Sequence, residues 1–212
     1  MNLADLRREY TKGGLRRADL EPNPLVQFQK WFEQALTAQL LEPSAMTLAT
    51  TDREGRPSAR IVLLKGVTET GFTFFTNYES RKGRELAENA RASLVLYWAE
   101  LERQVCVSGD VAKTSRVESE KYFSMRPRGS QLGAWVSKQS LVVADRAFLE
   151  TRLREVEEQF ASRDVETPPY WGGYLLVPSR IEFWQGRPNR LHDRFQYVKQ
   201  SDGLWRIDRL SP

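Results

Sequence analysis

Hydrophobic positions along this chain recur with two periods, and the changes from one to the other mark out its elements. After Asn23-Pro24, a cap followed by a proline suited to the first helical position, Leu25, Phe28, Phe32, Ala35 and Leu36 fall at helical spacing. They predict a helix packed by one face on the core and ended by the Leu41–Ser44 segment. From Ala45 to Ala112 the pattern shortens into runs rich in β-branched and aromatic residues. Strands are predicted at about 45–51, 58–65, 71–76, 92–98 and 102–112, with Asp52-Arg53-Glu54-Gly55 as the turn between the first two. Ile61–Leu64 and Phe72–Thr76 read as the arms of a hairpin whose connection holds Gly66 and Gly71. Ser80 is positioned to cap a short helix through Arg84-Glu85-Leu86-Ala87.

Helical spacing returns at 114–125, with Tyr122-Phe123 on the apolar side. A second long helix carries Leu149, Leu153, Val156 and Phe160 on its buried stripe and Glu150, Arg154, Glu157 and Glu158 on its wet face. Strand character reappears at Trp171–Val177 and Arg180–Gly186, separated by Pro178, and again at Leu204–Ile207 after a Ser201-Asp202-Gly203 turn. Mostly antiparallel strands with short connections and flanking helices predict a mainly β, α+β fold of barrel or sandwich type. The basic opening stretch, interrupted by Gly13-Gly14, is expected to be a mobile arm over residues 1–20, leaving 21–212 as a single domain. No repeat of fixed period is present.

Composition narrows the function classes. With 212 residues, 40% hydrophobic content and 11% aromatics, the chain can bury a full core. Its 32 basic and 28 acidic residues give a net charge of only +4, spread along the chain, which suits anionic small molecules better than nucleic acid. One cysteine, Cys106, excludes an internal disulfide, and one histidine with one cysteine argues against a zinc site or a Cys–His nucleophile pair. No apolar run approaches the ~20 residues of a membrane helix. The start lacks the apolar centre of a secretory signal, so the cytoplasm is the expected compartment.

Candidate chemistry gathers at three places. Arg60, Lys65, Arg81 and Lys82 flank the proposed hairpin and a helix start, a combination that suits a phosphate, although they also fit solvated strand-end charges. Arg60 and Lys65 are five apart and leave a flat strand on opposite faces, unless the strand ends or bulges before Lys65 or the two serve different anions. Tyr122, Arg126 and Ser130 recur every four residues and could bring a phenol, a guanidinium and a hydroxyl together as a phosphate grip; a helix end with a basic cap is the alternative. Arg190, His192 and Arg194 share one face if extended, and Gln104 at a strand start offers an amide suited to a heterocycle edge.

Taken together, several stretches resemble the pyridoxine/pyridoxamine 5′-phosphate oxidase family. They are Leu-Arg-Arg-Glu-Tyr-Thr-Lys-Gly-Gly-Leu at 6–15, Arg-Ile-Val-Leu-Leu-Lys at 60–65, Phe-Phe-Thr-Asn-Tyr-Glu-Ser-Arg-Lys at 74–82, Glu-Arg-Gln-Val at 102–105 and Tyr-Phe-Ser-Met-Arg-Pro-Arg at 122–128. Further on come Gln-Leu-Gly-Ala-Trp-Val-Ser-Lys-Gln-Ser at 131–140, Glu-Phe-Trp-Gln-Gly at 182–186 and Arg-Leu-His-Asp-Arg at 190–194. The resemblance implies a homodimeric split β-barrel with two FMN sites at the subunit interface. It implies that FMN is held by Arg60, Ile61, Val62, Leu63, Leu64, Lys65, Phe75, Thr76, Arg81 and Lys82, completed by Gln104, Gln139, Ser140, Trp184 and Arg194, some from the second subunit. Position 75 is Phe where some members of the family have Tyr, so only a backbone contact carries over there.

By the same resemblance Lys65, Tyr122, Arg126 and Ser130 grip the substrate phosphate. Arg190 and His192 lie against the pyridine ring as the catalytic pair, beside Leu191, and the arm with Arg7, Arg8, Glu9 and Tyr10 closes over it. The implied reaction is hydride transfer from pyridoxamine or pyridoxine 5′-phosphate to FMN, with O2 as final acceptor, giving H2O2 and pyridoxal 5′-phosphate. The cofactor carries such chemistry, which fits a chain rich in cations and without a nucleophile triad. Three rival readings are a flavin reductase on the same barrel, a non-catalytic carrier of FMN or pyridoxal phosphate, and a nucleic-acid-binding module; the balanced charge disfavours the last.

Overall fold

A computed structural model describes residues 9–212; Arg7 and Arg8 of the basic arm lie outside the described residues. The first helix, α1 (Pro24–Thr37), begins where its cap dictates: the Asn23 side-chain oxygen accepts the Leu25 N–H at 2.9 Å, and Pro24 occupies the first turn. Its buried face is rotated from expectation, with Leu25, Phe28, Trp31 and Ala35 inward and Leu36 outward. Phe28 meets Phe72 edge-on at 4.9 Å and Trp31 meets Phe183 at 5.2 Å, so α1 closes one side of the core.

Nine strands follow, among them β1 (Ala45–Thr51), β2 (Pro57–Leu63), β3 (Gly66–Val67), β4 (Phe72–Asn77), β5 (Arg91–Trp98) and β6 (Arg103–Lys113). The remainder are β7 (Trp171–Gln185), β8 (Asp193–Lys199) and β9 (Trp205–Leu210), and all pair antiparallel in one sheet. The order is β2-β1-β5-β6-β7-β4-β3, with β8 and β9 branching from β7. The long strand β7 pairs with β6 on one flank. On the other it pairs with β4 over its first half and with β8 over its second, so the sheet forks around it. This is the split barrel.

Three expectations are corrected here. The proposed hairpin does not form: β2 pairs with β1, and β4 pairs with β7 and the two-residue β3, so Gly66 and Gly71 bracket a much smaller turn. Long-range ladders outcompeted the local pairing. Pro178 does not break the strand either, because it sits at a bulge where Gly109 lies opposite and the register shifts by one residue. A Cβ on Gly109 would come within 2.0 Å of the Val177 carbonyl oxygen, so the crossing strands require glycine there. Third, the basic stretch offered as a cap ending the helix at 114–125 leads straight into another helix, α4 (Arg128–Val136), between α3 (Arg116–Ser124) and α5 (Arg146–Gln159).

The inward sheet face, including Met46, Leu48, Leu94, Leu96, Val105, Val107, Ile181, Phe183 and Phe195, forms the main core with α1. A second cluster of Phe123, Leu132, Val156, Phe160, Val165 and Trp171 holds α3, α4 and α5 against the start of β7. The opposite sheet face carries the paired row Tyr97, Gln104, Trp184 and Arg194, with Ile61 and Leu63 exposed nearby on β2. Among the described residues no helix is long and apolar enough to cross a membrane.

Candidate active site

β2 stops at Leu63, and the Lys65 N–H bonds the Thr73 carbonyl at 2.8 Å, carrying the chain from the β1 edge to the β4 edge. Ending the strand there resolves the parity of Arg60 and Lys65. The step opens a cavity of about 700 Å³ between the end of β2, β4, the start of α2 (Arg81–Glu88) and the α3–α4 turn. Of the residues expected at the site, Ile61, Val62, Leu63, Lys65, Phe75, Thr76, Lys82, Tyr122, Arg126, Ser130 and Gln139 all line it. Leu64 instead points into the core.

At one end Ser80 caps α2 by accepting the Gly83 N–H, and this turn presents Lys82, 6% exposed, to the cavity. The Lys82 ammonium bonds the hydroxyls of Thr76 at 3.3 Å and Ser80 at 3.4 Å, and no carboxylate ion pair to it exists among the described residues. Burial, then the charge of Arg60, lowers its pKa to about 8, with Glu85 opposing. The Thr76 hydroxyl donates to the Gln139 side chain at 3.3 Å, and the Arg81 N–H donates to the Ser140 hydroxyl at 3.1 Å.

Arg60 and Arg81 stand behind this end rather than on the cavity wall. Both are ion-paired to the buried Glu85, at 3.2 Å and 2.8 Å. Burial pushes the Glu85 carboxyl up, but Ser58, Thr50, Arg81 and Arg60 together hold it down to about 2.

The other end is aromatic. Phe75 and Tyr122 stack at 4.0 Å and 18°, Trp171 lies nearly parallel to both, and Arg126 rests over the Trp171 ring at 4.6 Å and the Phe123 ring at 5.3 Å. Arg126 Nη1 is the one buried side-chain nitrogen or oxygen without a hydrogen-bond partner among the described residues. Burial lowers the Arg126 pKa. A buried guanidinium N–H is costly to leave unpaired, and on a residue that lines the cavity it fits an anionic guest that would draw the group out.

Gln104, Trp184, Arg194, Arg190, Leu191 and His192 are not on this cavity. Gln104, Trp184 and Arg194 share the outward row of the sheet, where Arg194 pairs with Glu182 at 2.8 Å. Extension over 190–194 does not hold: Asn189 and Arg190 have φ of 56° and 61°, the strand starts at Asp193, and Arg190 and Leu191 are exposed. His192 packs on Trp184 at 4.7 Å, and Tyr10 meets both rings edge-on at 5.4 and 5.5 Å. His192 Nδ1 accepts the Arg187 N–H at 3.1 Å, which leaves the ring proton on Nε2, and burial followed by Arg190 lowers its pKa.

The arm reaches this cluster through two carboxylates. Glu102 accepts the N–H groups of Thr11 and Lys12, both at 2.8 Å, and Asp193 accepts that of Leu15 at 3.0 Å. Glu9 is exposed. Sequence reasoning missed Trp171, which reads as an ordinary strand start, and Glu102, whose partners lie about 90 positions away.

The cavity fits FMN and a second anion. It has a buried cation at a helix start for one phosphate, aromatic and aliphatic walls for flat rings, and at the far end a second, partly buried cation with one unpartnered nitrogen.

A family model described as pyridoxamine 5′-phosphate oxidase matches residues 32–160, and one described as the pyridoxine 5′-phosphate oxidase C-terminal dimerisation region matches residues 171–212. Relatives named pyridoxine/pyridoxamine 5′-phosphate oxidase include one from Burkholderia thailandensis, 59% identical over 212 residues with 99% of each chain covered. Another, from Cyanothece sp., is 57% identical over 212 residues, covering 100% of this chain and 99% of that one. Among solved structures, PhzG from Burkholderia lata 383 in complex with tetrahydrophenazine-1-carboxylic acid has a TM-score of 0.88 at 32% identity, over 93% of this chain and 98% of that one. A pyridoxamine 5′-phosphate oxidase-related, FMN binding protein from Nostoc punctiforme has a TM-score of 0.70 at 18% identity, over 91% and 98%, and shares the fold.

Proposed function

The chain belongs to the pyridoxamine 5′-phosphate oxidase family, and on that premise we propose that it oxidises pyridoxamine and pyridoxine 5′-phosphate to pyridoxal 5′-phosphate with FMN as cofactor and O2 as acceptor. The observation that carries the reading is one cavity with the buried Lys82 at one end and, at the other, Arg126 with its unpartnered Nη1 beside stacked aromatic rings, neither cation ion-paired to a carboxylate among the described residues. Two flat molecules with phosphate tails match that arrangement; a single carboxylate ligand leaves one cation unmatched.

Bound FMN would supply the hydride acceptor and its reoxidation by O2 with release of H2O2. The chain's own residues bind and align. Lys82, with the Thr76 hydroxyl and the start of α2, would hold the cofactor phosphate, with Arg60 and Arg81 adding positive potential from behind. Ile61 to Leu63 and Gln139 would line the ring system, while Ser140 fixes the loop to α2 through the Arg81 N–H. Lys65, Tyr122, Arg126 and Ser130 would grip the substrate phosphate, converting binding energy into alignment of the reacting carbon.

The outward row and the His192 cluster would complete the site from the partner copy, since they do not reach this cavity within one chain. The C-terminal dimerisation region, residues 171–212, carries Trp184 and Arg194 of that row together with His192. There Arg190 and His192 would face the pyridine ring, with His192 presenting an Nε2–H donor rather than a base. Tyr10 and the arm would cover it as a lid, held by Glu102.

A second reading, a flavoprotein for a carboxylated substrate, is favoured by the likeness to PhzG. Steady-state O2 consumption separates the two. Purified protein carrying FMN is expected to consume O2 and form pyridoxal phosphate with both phosphorylated vitamers. A flavin-loaded protein that turns over neither of them would refute the proposal.

A further inference from the structure

Within the proposed oxidase reading, we infer that Trp171 is a positioning residue that sets Arg126 for the substrate phosphate. The inference rests on how Arg126 is held. A carboxylate that oriented an arginine would compete with an incoming anion for its donors. Arg126 has no ion pair among the described residues; its guanidinium lies over the indole of Trp171 at 4.6 Å and the ring of Phe123 at 5.3 Å. Those two rings meet edge to face at 5.0 Å, so they form a corner that receives the cation.

A π face attracts a cation without using its N–H groups. That leaves Arg126 Nη1 buried, dry and unpartnered. Trp171 is itself fixed, as the first residue of β7, opposite Asn77 in the β4 ladder and buried in the second hydrophobic cluster. The same indole lies nearly parallel to Tyr122 at 6.2 Å and Phe75 at 5.5 Å, so it also orders the phenol of the grip. An apolar residue of similar bulk would fill the space but offer no quadrupole, and the guanidinium would swing toward solvent.

The test compares Trp171→Phe and Trp171→Leu in the FMN-loaded protein. Inorganic phosphate serves as the direct probe, by calorimetric titration, beside the KM for pyridoxamine 5′-phosphate and the Kd for FMN. Trp171→Leu is expected to weaken phosphate binding and raise KM by about tenfold, the size of one cation–π contact of about 1.4 kcal/mol. Trp171→Phe, which keeps a ring face, recovers most of the loss. FMN affinity stays within about twofold in both.

If phosphate affinity and KM are unchanged in Trp171→Leu, the inference fails. Parallel loss of FMN affinity and phosphate affinity in both variants also overturns it, because that pattern marks general packing. Should the parent protein bind phosphate but oxidise neither vitamer, the proposed function falls while the phosphate titration still decides the role of Trp171.

Discussion

Replacing Lys82 with methionine should move stability and cofactor binding in opposite directions. The side chain is nearly enclosed, and only two hydroxyls answer its ammonium, so the folded protein holds this charge at a cost. Its pKa falls from an ordinary 10.5 to about 8 through burial and the Arg60 charge, which at about 1.4 kcal/mol per tenfold sets a ceiling of roughly 3 kcal/mol on that cost. Between these two values the unfolded chain holds more protons than the folded one. Stability of the flavin-free protein therefore rises with pH across that window, and below pH 8 the full cost is present.

Methionine removes the charge and keeps the volume. At pH 7 the flavin-free Lys82→Met protein should resist urea better, by about 1–3 kcal/mol at fixed protomer concentration. FMN affinity, measured by quenching of flavin fluorescence, should fall by about 2–3 kcal/mol, roughly 30- to 150-fold. In the parent protein FMN affinity should decline above pH 8 as Lys82 loses its proton. A variant less stable than its parent, or one that binds FMN as tightly, would refute this account of the cavity.

Other consequences follow from the arm, the ion cluster and the pairing of copies. A Cβ at Gly186 would sit 2.7 Å from the Tyr10 ring, so Gly186→Ala should displace the arm; faster tryptic cleavage at Lys12 with an intact fold is the expected sign. Glu102→Gln takes the negative charge from the one oxygen that both N–H groups share, and faster hydrogen exchange at Thr11 and Lys12 should report a loss of about 1 kcal/mol. Glu85 is held at about 2 against an ordinary 4.5, so its contribution to stability is present above pH 4.5 and lost as pH falls toward 2; Glu85→Gln should flatten the acid limb of a stability profile. If the outward row serves the partner's cavity, mixing an inactive Arg126→Met chain with an inactive Arg194→Met chain should restore activity, since one of the two sites in a mixed pair is intact. No recovery after verified exchange would place both residues in one copy's site.

Local signals were the most legible part of the chain. Asn23-Pro24 and Ser80 start their helices as their cap chemistry requires, and the expected strands agree with the observed ones to within one or two residues at most ends. The four-residue spacing of Tyr122, Arg126 and Ser130 does bring them to one cavity even though the helix breaks at Pro127, because α4 restarts immediately and continues the turn. Pairing was not legible. β2 and β4 are neighbours in sequence with matching character, yet each finds a partner elsewhere, and no local pattern encodes that choice. Arg190, His192 and Arg194 alternate in sequence, but two consecutive left-handed residues, Asn189 and Arg190, delay the strand to Asp193. Arg60 and Arg81 carry the charge expected of phosphate ligands, and only the fold reveals the carboxylate of Glu85 between them.

The bulge in β7 decides what the outward row contains. Before it, even-numbered Tyr174 and Leu176 face the core; after it, odd-numbered Ile181 and Phe183 do, while β6 keeps Val111, Val107 and Val105 inward throughout. One supernumerary residue, Ser179, is absorbed there. Had the strand run through Ser179 in regular alternation, with no bulge to absorb it, Arg180, Glu182 and Trp184 would have been driven into the apolar interior and two large hydrophobes expelled to the surface. A proline that lacks a ladder donor and a glycine that tolerates a close carbonyl hold that insertion in place, so a three-residue irregularity fixes which side chains of β7 form the row proposed above to complete a partner's site.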